Sequence, residues 1–163
     1  MNTYCPCNHI QRLDFCNALY SGISKGAIHR LQLVQNAAAR LITGTRRSEH
    51  ITPALAALHW LPVIYRIDFK ILLLTFKALN GLAPQYLSEL VQPYVPVRQL
   101  RSSNLALLEV PNSNMVTKGD RAFAVRAPTL WNCLPVELRL SGSIAIFKSN
   151  LKTYFYRKAF LTP

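Results

Sequence analysis

The chain has 163 residues, of which 50% are hydrophobic and 16% charged, so it can bury one core and is unlike disordered chains. Its 19 Lys and Arg outnumber 7 Asp and Glu, which gives a formal net charge of +12. This excess favours polyanionic partners, nucleic acid before an acidic membrane surface, although a basic balance that only aids solubility stays open.

The cysteines and the apolar segments bear on localisation. Three of the four cysteines lie within the first sixteen residues, which gives no convincing disulfide framework. The N-terminus lacks the apolar run of a signal peptide, and the most apolar segment, residues 63–79, carries four charges that a bilayer-spanning helix would not accept. The sequence therefore predicts an intracellular protein of the nucleus or the cytoplasm that is not secreted and has no membrane partner.

The chain begins with a segment in which apolar residues show neither a helical nor a strand periodicity. Residues 1–10 are expected to form an irregular leader, and the apolar spacing in residues 12–20 predicts a short helix. The clearest helix is expected to begin after a cap at Ser24 and to end at Gly44. Apolar residues recur there at three- and four-residue steps: Ile28, Leu31, Val34, Ala38, Leu41 and Ile42.

Prolines mark the starts of the next three predicted helices. Proline suits the first turn of a helix, because its φ is already helical and its missing N–H would have no partner there. These helices are expected over residues 52–59, 62–81 and 84–92, joined by short turns as in an antiparallel bundle.

The C-terminal half is more mixed. Residues 105–110 and 114–118 predict a two-stranded ribbon around a turn. A helix is expected from Asp120, with a bend or a stop around Pro128, and a last helix after Ser143 with an apolar stripe. The predicted fold class is therefore mainly α, a small helical bundle with room for a short two-stranded β-ribbon.

The acidic residues argue against catalysis. Nucleotide polymerisation needs paired carboxylates that hold two metal ions, and no two of the seven acids are adjacent. Cys5, Cys7, His9 and Cys16 are four potential zinc ligands, but their one-residue gaps are tighter than the usual spacing, which favours free thiols in a loose tail. The sequence thus predicts no catalytic residue, no metal site and no cofactor.

The basic residues predict contact with nucleic acid. Cations near a helix C-terminus are favourable in themselves, and a solvated face explains any one group, but acidic partners are too few for all of them. Arginine forks suit phosphate oxygens, so the set favours non-specific binding along an RNA or DNA backbone. The predicted binding residues are Arg40, Arg46, Arg47, Arg98, Arg101, Lys118, Arg121, Arg126, Lys148 and Lys152.

Aromatic residues interleave with this charge. Trp60, Trp131 and Phe155 fall in apolar stretches and are expected in the core. Tyr154 and Tyr156 are the remaining candidates for stacking on bases.

Six sequence blocks carry a resemblance. In chain order they are RLDFCNALYSG, RLQLVQNAAARLITGTRR, HITPALAALHWLPVIYRIDFKILLLTFKALNGLAPQYL, RSSNLALLEVP, KGDRAFAVRAPTLWNCLPVELR and FKSNLKTYFYRKAF. Together, over about residues 11–160, they resemble the region after the polymerase core in non-LTR retrotransposon reverse transcriptases, LINE-type elements of the jockey and chicken-repeat groups.

The resemblance implies a non-catalytic C-terminal fragment of an RNA-directed DNA polymerase. It implies a thumb-like helical segment at residues 11–44 and a C-terminal helical domain at 45–160, packed together as one unit. Since a polymerase thumb grips the duplex by its backbone, it gives Arg40, Arg46 and Arg47 a phosphate-contact role. The polymerase core that this chain lacks is a second predicted partner. The alternative is a structural packing domain, or a retroelement relic without independent activity. The apolar stretch 54–90 favours this alternative.

Overall fold

A computed structural model describes residues 14–96, 105–112 and 119–161. This part of the chain is mainly helical, which confirms the predicted fold class. Two 3₁₀ turns occur in it, Asn17–Tyr20 and Gly119–Arg121. Its seven α-helices are α1 Lys25–Thr43, α2 Thr52–Ala57, α3 Val63–Leu79, α4 Gln85–Ser88, α5 Phe123–Asn132, α6 Val136–Arg139 and α7 Ile144–Phe160. No described helix is both long and apolar enough to cross a bilayer.

Local signals set the ends of the long helices, as predicted. The Ser24 hydroxyl accepts a hydrogen bond from the N–H of Ala27 at 3.3 Å and so caps α1, which ends at Gly44 with a left-handed φ of 68°. α3 follows Pro62 directly and stops before Gly81, whose φ is also 68°. These caps satisfy backbone groups that the helix itself leaves without partners.

The predicted helix over residues 12–20 is corrected in its described part. Cys16 has a left-handed φ of 52°, and the following residues form a 3₁₀ turn rather than an α-helix. Asp14 forms an ion pair with Arg66 at 2.6 Å, and Asn17 is buried. The buried side of this segment is therefore polar, whereas the apolar Leu19 remains 80% exposed.

The predicted helix over 84–92 is also shorter, because α4 is a single turn. Beyond it the chain is drawn into an isolated antiparallel bridge between Pro93 and Leu108. The N–H of Tyr94 donates to the carbonyl of Leu107, and the N–H of Glu109 to that of Gln92, both at 2.9 Å. The first predicted ribbon segment thus pairs with residues 92–94, and the second, 114–118, lies outside the described residues.

Pro128 does not stop the helix around it. α5 begins only at Phe123, after the 3₁₀ turn that includes Asp120, and continues past Pro128 to Asn132. Pro128 is buried, so packing compensates for the backbone hydrogen bond that a proline cannot donate. The short helix α6, which begins after Pro135, was not predicted.

The chain divides into two compact units. One comprises the described parts of residues 1–67 and 154–163, and the other comprises residues 68–153. The division falls within α3 and within α7. The predicted domains, 11–44 and 45–160 packed as one unit, have different bounds and stay a prediction.

In the unit of residues 68–153, the core is built around Phe147. Its ring stacks on that of Phe76, with centroids 4.4 Å apart and planes at 16°, and lies 5.7 Å from the Trp131 ring. The indole N–H of Trp131 donates to the carbonyl of Ala106 at 2.8 Å, so its polar atom is satisfied. Phe147 and Leu151 are fully buried, which confirms the apolar stripe predicted for α7.

In the other unit, α1 packs through small and amide side chains. Gln35 and Ala39 are fully buried, and the amide N–H of Gln35 donates to the carbonyl of Leu61 at 2.8 Å. Gln32 accepts from the N–H of Val63 at 2.9 Å. Alanine lets the backbones approach closely, and the two glutamines satisfy backbone groups that the packing removes from water.

The aromatic stripe of α7 is the basis of a first prediction. Replacement of Phe147 by Ala should lower the free energy of unfolding by about 3–5 kcal/mol, because it leaves a cavity beside Phe76 and Trp131. The neighbouring Ile146 is 54% exposed, so Ile146→Ala should cost less than about 1 kcal/mol. Urea unfolding followed by circular dichroism measures both variants. Equal losses would contradict this account of the core.

Candidate nucleic-acid interface

The arginine loop, defined here as residues 44–50 between α1 and α2, carries two of the predicted binding residues. Arg46 and Arg47 are both exposed, and their side chains take part in no hydrogen bond or ion pair within the described chain. The N–H of Glu49 donates to the carbonyl of Arg46 at 3.1 Å, which folds the loop into a tight turn.

Arg40, on the last turn of α1, has a different role. Its Nη1 donates to the carbonyl of Arg46 at 2.5 Å and to that of Glu49 at 3.0 Å. The side chain is half-buried, and its donors serve the loop backbone. Arg40 is therefore a positioning residue that holds the arginine loop against the end of α1, while Arg46 and Arg47 remain open to an external anion.

The electrostatics of this site come from side chains. The last carbonyls of α1 carry partial negative charge, which by itself repels anions. Arg40, Arg46 and Arg47 contribute three positive charges and Glu49 one negative charge, a sum of about +2. Sequence reasoning brought these three arginines together, and the structure joins Arg40 to Arg46 through a hydrogen bond.

Three other predicted residues are exposed cations in the unit of residues 68–153. Arg121 lies in the 3₁₀ turn before α5, and Lys148 and Lys152 lie one turn apart on α7. No ion pair engages them within the described residues. Their side chains are available to a phosphate backbone.

Arg126 does not fit the predicted binding role. It is half-buried on α5, and its Nη2 forms an ion pair with Asp68 at 3.3 Å. Its Nε is buried without a hydrogen-bond partner. The guanidinium is thus directed into the protein, where it supports packing. The remaining predicted residues, Arg98, Arg101 and Lys118, lie outside the described part of the chain.

Sequence reasoning missed two exposed cations on α1, Lys25 and Arg30. The signal was present, because α1 contains three basic residues and no acidic one. Both residues belong to the same unit as the arginine loop, and neither forms an ion pair within the described chain.

The two tyrosines considered for base stacking are engaged differently. The Tyr156 hydroxyl donates to the carbonyl of Ala56 at 3.2 Å, and its ring meets His59 edge-on at 5.6 Å. Tyr156 is therefore a structural residue. Tyr154 is half-buried, and the Lys158 ammonium lies 6.0 Å from its ring centroid. The predicted core positions hold for Trp131 and Phe155, whereas Trp60 is half-buried.

The acids and thiols of the described chain form no metal cluster. No group of three or more His, Cys, Asp or Glu side chains is placed to hold a metal ion in residues 14–96, 105–112 and 119–161. Cys16 is an exposed free thiol, and the other three side chains weighed as zinc ligands lie outside these ranges. The predicted lack of a catalytic residue stays a prediction.

No family model matches the chain, and no curated protein or solved structure does so either. The relation to LINE-type reverse transcriptases stays an expectation drawn from the six sequence blocks.

The division of roles between Arg40 and Arg47 can be tested by stability. Arg40→Gln should lower the free energy of unfolding by about 1 kcal/mol, because two carbonyls lose a charged donor. Arg47→Gln should change it by less than about 0.5 kcal/mol, since that side chain is exposed and unbonded. Urea unfolding of both variants measures the difference, and a greater loss for Arg47→Gln would reverse the assignment.

Proposed function

We propose that this chain is a non-catalytic C-terminal segment of a retrotransposon-encoded RNA-directed DNA polymerase that binds RNA or DNA by its backbone without reading sequence. The observation that carries the binding role is the arginine loop: Arg46 and Arg47 are exposed and unbonded on a turn that Arg40 holds in place. The parent family rests on the sequence resemblance alone.

The distribution of ion pairs supports the binding role. The two ion pairs described, Asp14–Arg66 and Asp68–Arg126, engage half-buried arginines. Exposed cations that form no ion pair within the described residues therefore keep their charge for partners outside the protein. Those without an ion pair in the described chain are Lys25, Arg30, Arg46, Arg47, Arg121, Lys148 and Lys152.

Binding of this kind draws its free energy from counterion release. Each phosphate that a cation neutralises frees condensed counterions from the nucleic acid, so affinity falls as salt rises. Guanidinium groups donate to phosphate oxygens of any sequence, which gives a non-specific mode. In the parent enzyme the chain would bind the backbone of the template, primer or target nucleic acid, and other segments would carry out polymerisation.

The arginine loop makes the decisive test. The double variant Arg46→Gln/Arg47→Gln should reduce the slope of log affinity against log salt by about 2, because two phosphate contacts are lost. Its affinity should fall alike for unrelated sequences. Fluorescence polarisation with labelled duplex DNA and labelled RNA, over a series of salt concentrations, measures both quantities.

A charge-matched pair of variants provides the control. Glu49→Gln removes a negative charge from the arginine loop and should tighten binding, whereas Glu109→Gln makes the same change at an exposed residue outside the loop and should have less effect. An unchanged salt slope in the double arginine variant, or no retention of either nucleic acid at low salt, would refute the binding role.

A second candidate function, packing against a protein partner, is favoured by the outer face of α1. Leu33, Val34 and Leu41 are 52%, 48% and 77% exposed. With Ala37 they follow the three- and four-residue spacing of one helix face. Such a contiguous exposed apolar face is typical of a surface that a protein partner normally covers. The apolar stretch 54–90 adds exposed side chains, among them Leu82 and Leu90.

Self-association distinguishes this candidate. If α1 is an interface that lacks its partner, the isolated chain should form concentration-dependent oligomers, and Leu33→Gln/Leu41→Gln should return it to a monomer. Val95→Gln/Ile146→Gln removes two exposed apolar side chains outside α1 and outside the stretch 54–90, and should leave the oligomers in place. Size-exclusion chromatography with light scattering measures all three chains. A monomeric unmodified chain would argue against the packing role.

A further inference from the structure

A cavity of ≈ 300 Å³ lies within the unit of residues 68–153. Phe76 and Leu79, on the last turns of α3, line it together with Trp131 of α5. Arg139, the last residue of α6, and the adjacent Leu140 also line the cavity. Leu79 and Leu140 are 36% and 60% exposed, so the cavity is accessible from solvent on their side.

Arg139 is the unusual member of this wall. Its Nε and Nη1 are buried and have no hydrogen-bond partner in the part of the chain that the structure describes. No ion pair involves it within the described chain, and Glu137 on the same short helix is exposed. A positively charged side chain, two of whose nitrogens have no partner within the described residues, therefore lies in the wall of this cavity.

Two other half-buried arginines of the chain have the kind of partner that Arg139 lacks within the described residues. Arg66 has a carboxylate partner in Asp14 at 2.6 Å, and Arg126 has one in Asp68 at 3.3 Å. Burial lowers the pKa of Arg66, and its charge interaction and hydrogen bond with Asp14 oppose that change. A buried charge is costly unless an opposite charge and hydrogen bonds compensate for it. Within the described residues Arg139 has no such partner, and the carboxylate of a ligand would supply one.

We propose that this cavity binds a carboxylate attached to an apolar body, with the carboxylate on Arg139 and the body between Phe76, Leu79 and Trp131. One guanidinium matches one negative charge, and no second cation among the lining residues would balance a doubly charged phosphate. Two further polar side chains, Asn80 and Ser141, line the cavity. Their amide and hydroxyl groups donate to the carbonyls of Phe76 and Leu138, both at 2.8 Å. Arg139 is thus the main donor for an anion.

This site is independent of the proposed nucleic-acid binding. A polyanionic backbone requires a row of exposed cations, whereas this cavity offers one charge among apolar walls. Two sources could provide the ligand: a free small acid, or the carboxylate at the C-terminus of a polypeptide that ends in an apolar residue. Both present the same chemistry to Arg139.

Fluorescence of Trp131 provides the test. The chain has two tryptophans, so Trp60→Phe leaves Trp131, in the wall of the cavity, as the only reporter. In this background phenylacetate should bind at least about tenfold more tightly than its neutral counterpart phenylacetamide, because only the first brings a charge to Arg139. Adding Arg139→Met should abolish that preference, whereas Lys25→Gln, which removes an exposed charge from the other unit, should retain it.

A short peptide ending in phenylalanine, with a free C-terminal carboxylate or an amide, distinguishes the two sources. If the peptide with a free carboxylate binds and its amide does not, the cavity is assigned to polypeptide C-termini. If phenylacetate binds and neither peptide does, the cavity is assigned to small acids. In the chain with its native arginine, the NMR signal of the Arg139 Nε–H should shift with phenylacetate and not with phenylacetamide. This measurement stands even if Arg139→Met does not fold. Equal binding of acid and amide, with no shift of that signal, would overturn the proposal.

Discussion

The placement of α1 by two glutamine side chains is the constraint on which the arginine loop depends. Gln35 donates to the carbonyl of Leu61, and Gln32 accepts from the N–H of Val63, so one face of α1 is bonded to the first residue of α3 and to the segment just before it. These bonds satisfy polar backbone groups at a junction where Gln35 is fully buried. Because the orientation of α1 is set in this way, its last turn presents Arg40 to the loop, and its apolar face is left outward.

The basic residues of the chain serve three physical purposes. Arg66 and Arg126 are half-buried and neutralised by aspartates, and Arg40 is occupied by two loop carbonyls. Exposed cations such as Arg46 keep their charge for solvent or for an external anion. Arg139 belongs to none of these three groups, since it is half-buried and has neither an ion pair nor a hydrogen-bond partner for its buried Nε and Nη1 among the described residues. The two ion pairs add nothing to the net charge of +12, which therefore comes from cations outside them.

Local chemistry made many helix ends predictable from sequence. A serine cap, a proline before the first turn and a glycine with positive φ act within a few residues, so Ser24, Pro62 and Gly44 mark the boundaries that the structure has. Elements that depend on distant partners were predicted less well. α4 is cut to one turn by the pairing of residues 92–94 with 107–109, and the segment after Asp14 departs from α-helix where a buried asparagine replaces an apolar face.

The sequence by itself determined the mainly helical class, the run of α1 and the excess of positive charge, because composition and short-range caps contain that information. Only the tertiary structure decided which side of α1 is buried. The periodicity of this helix singled out Ala38, which is buried, but also Val34 and Leu41, which are exposed, and the packing buries Gln35 and Ala39 beside Ala38. Gln35 donates to a carbonyl 26 residues away in sequence, and a contact of that range leaves no signal in the local hydrophobic pattern. Only the tertiary structure decides which arginines form ion pairs, because their aspartate partners are distant in sequence.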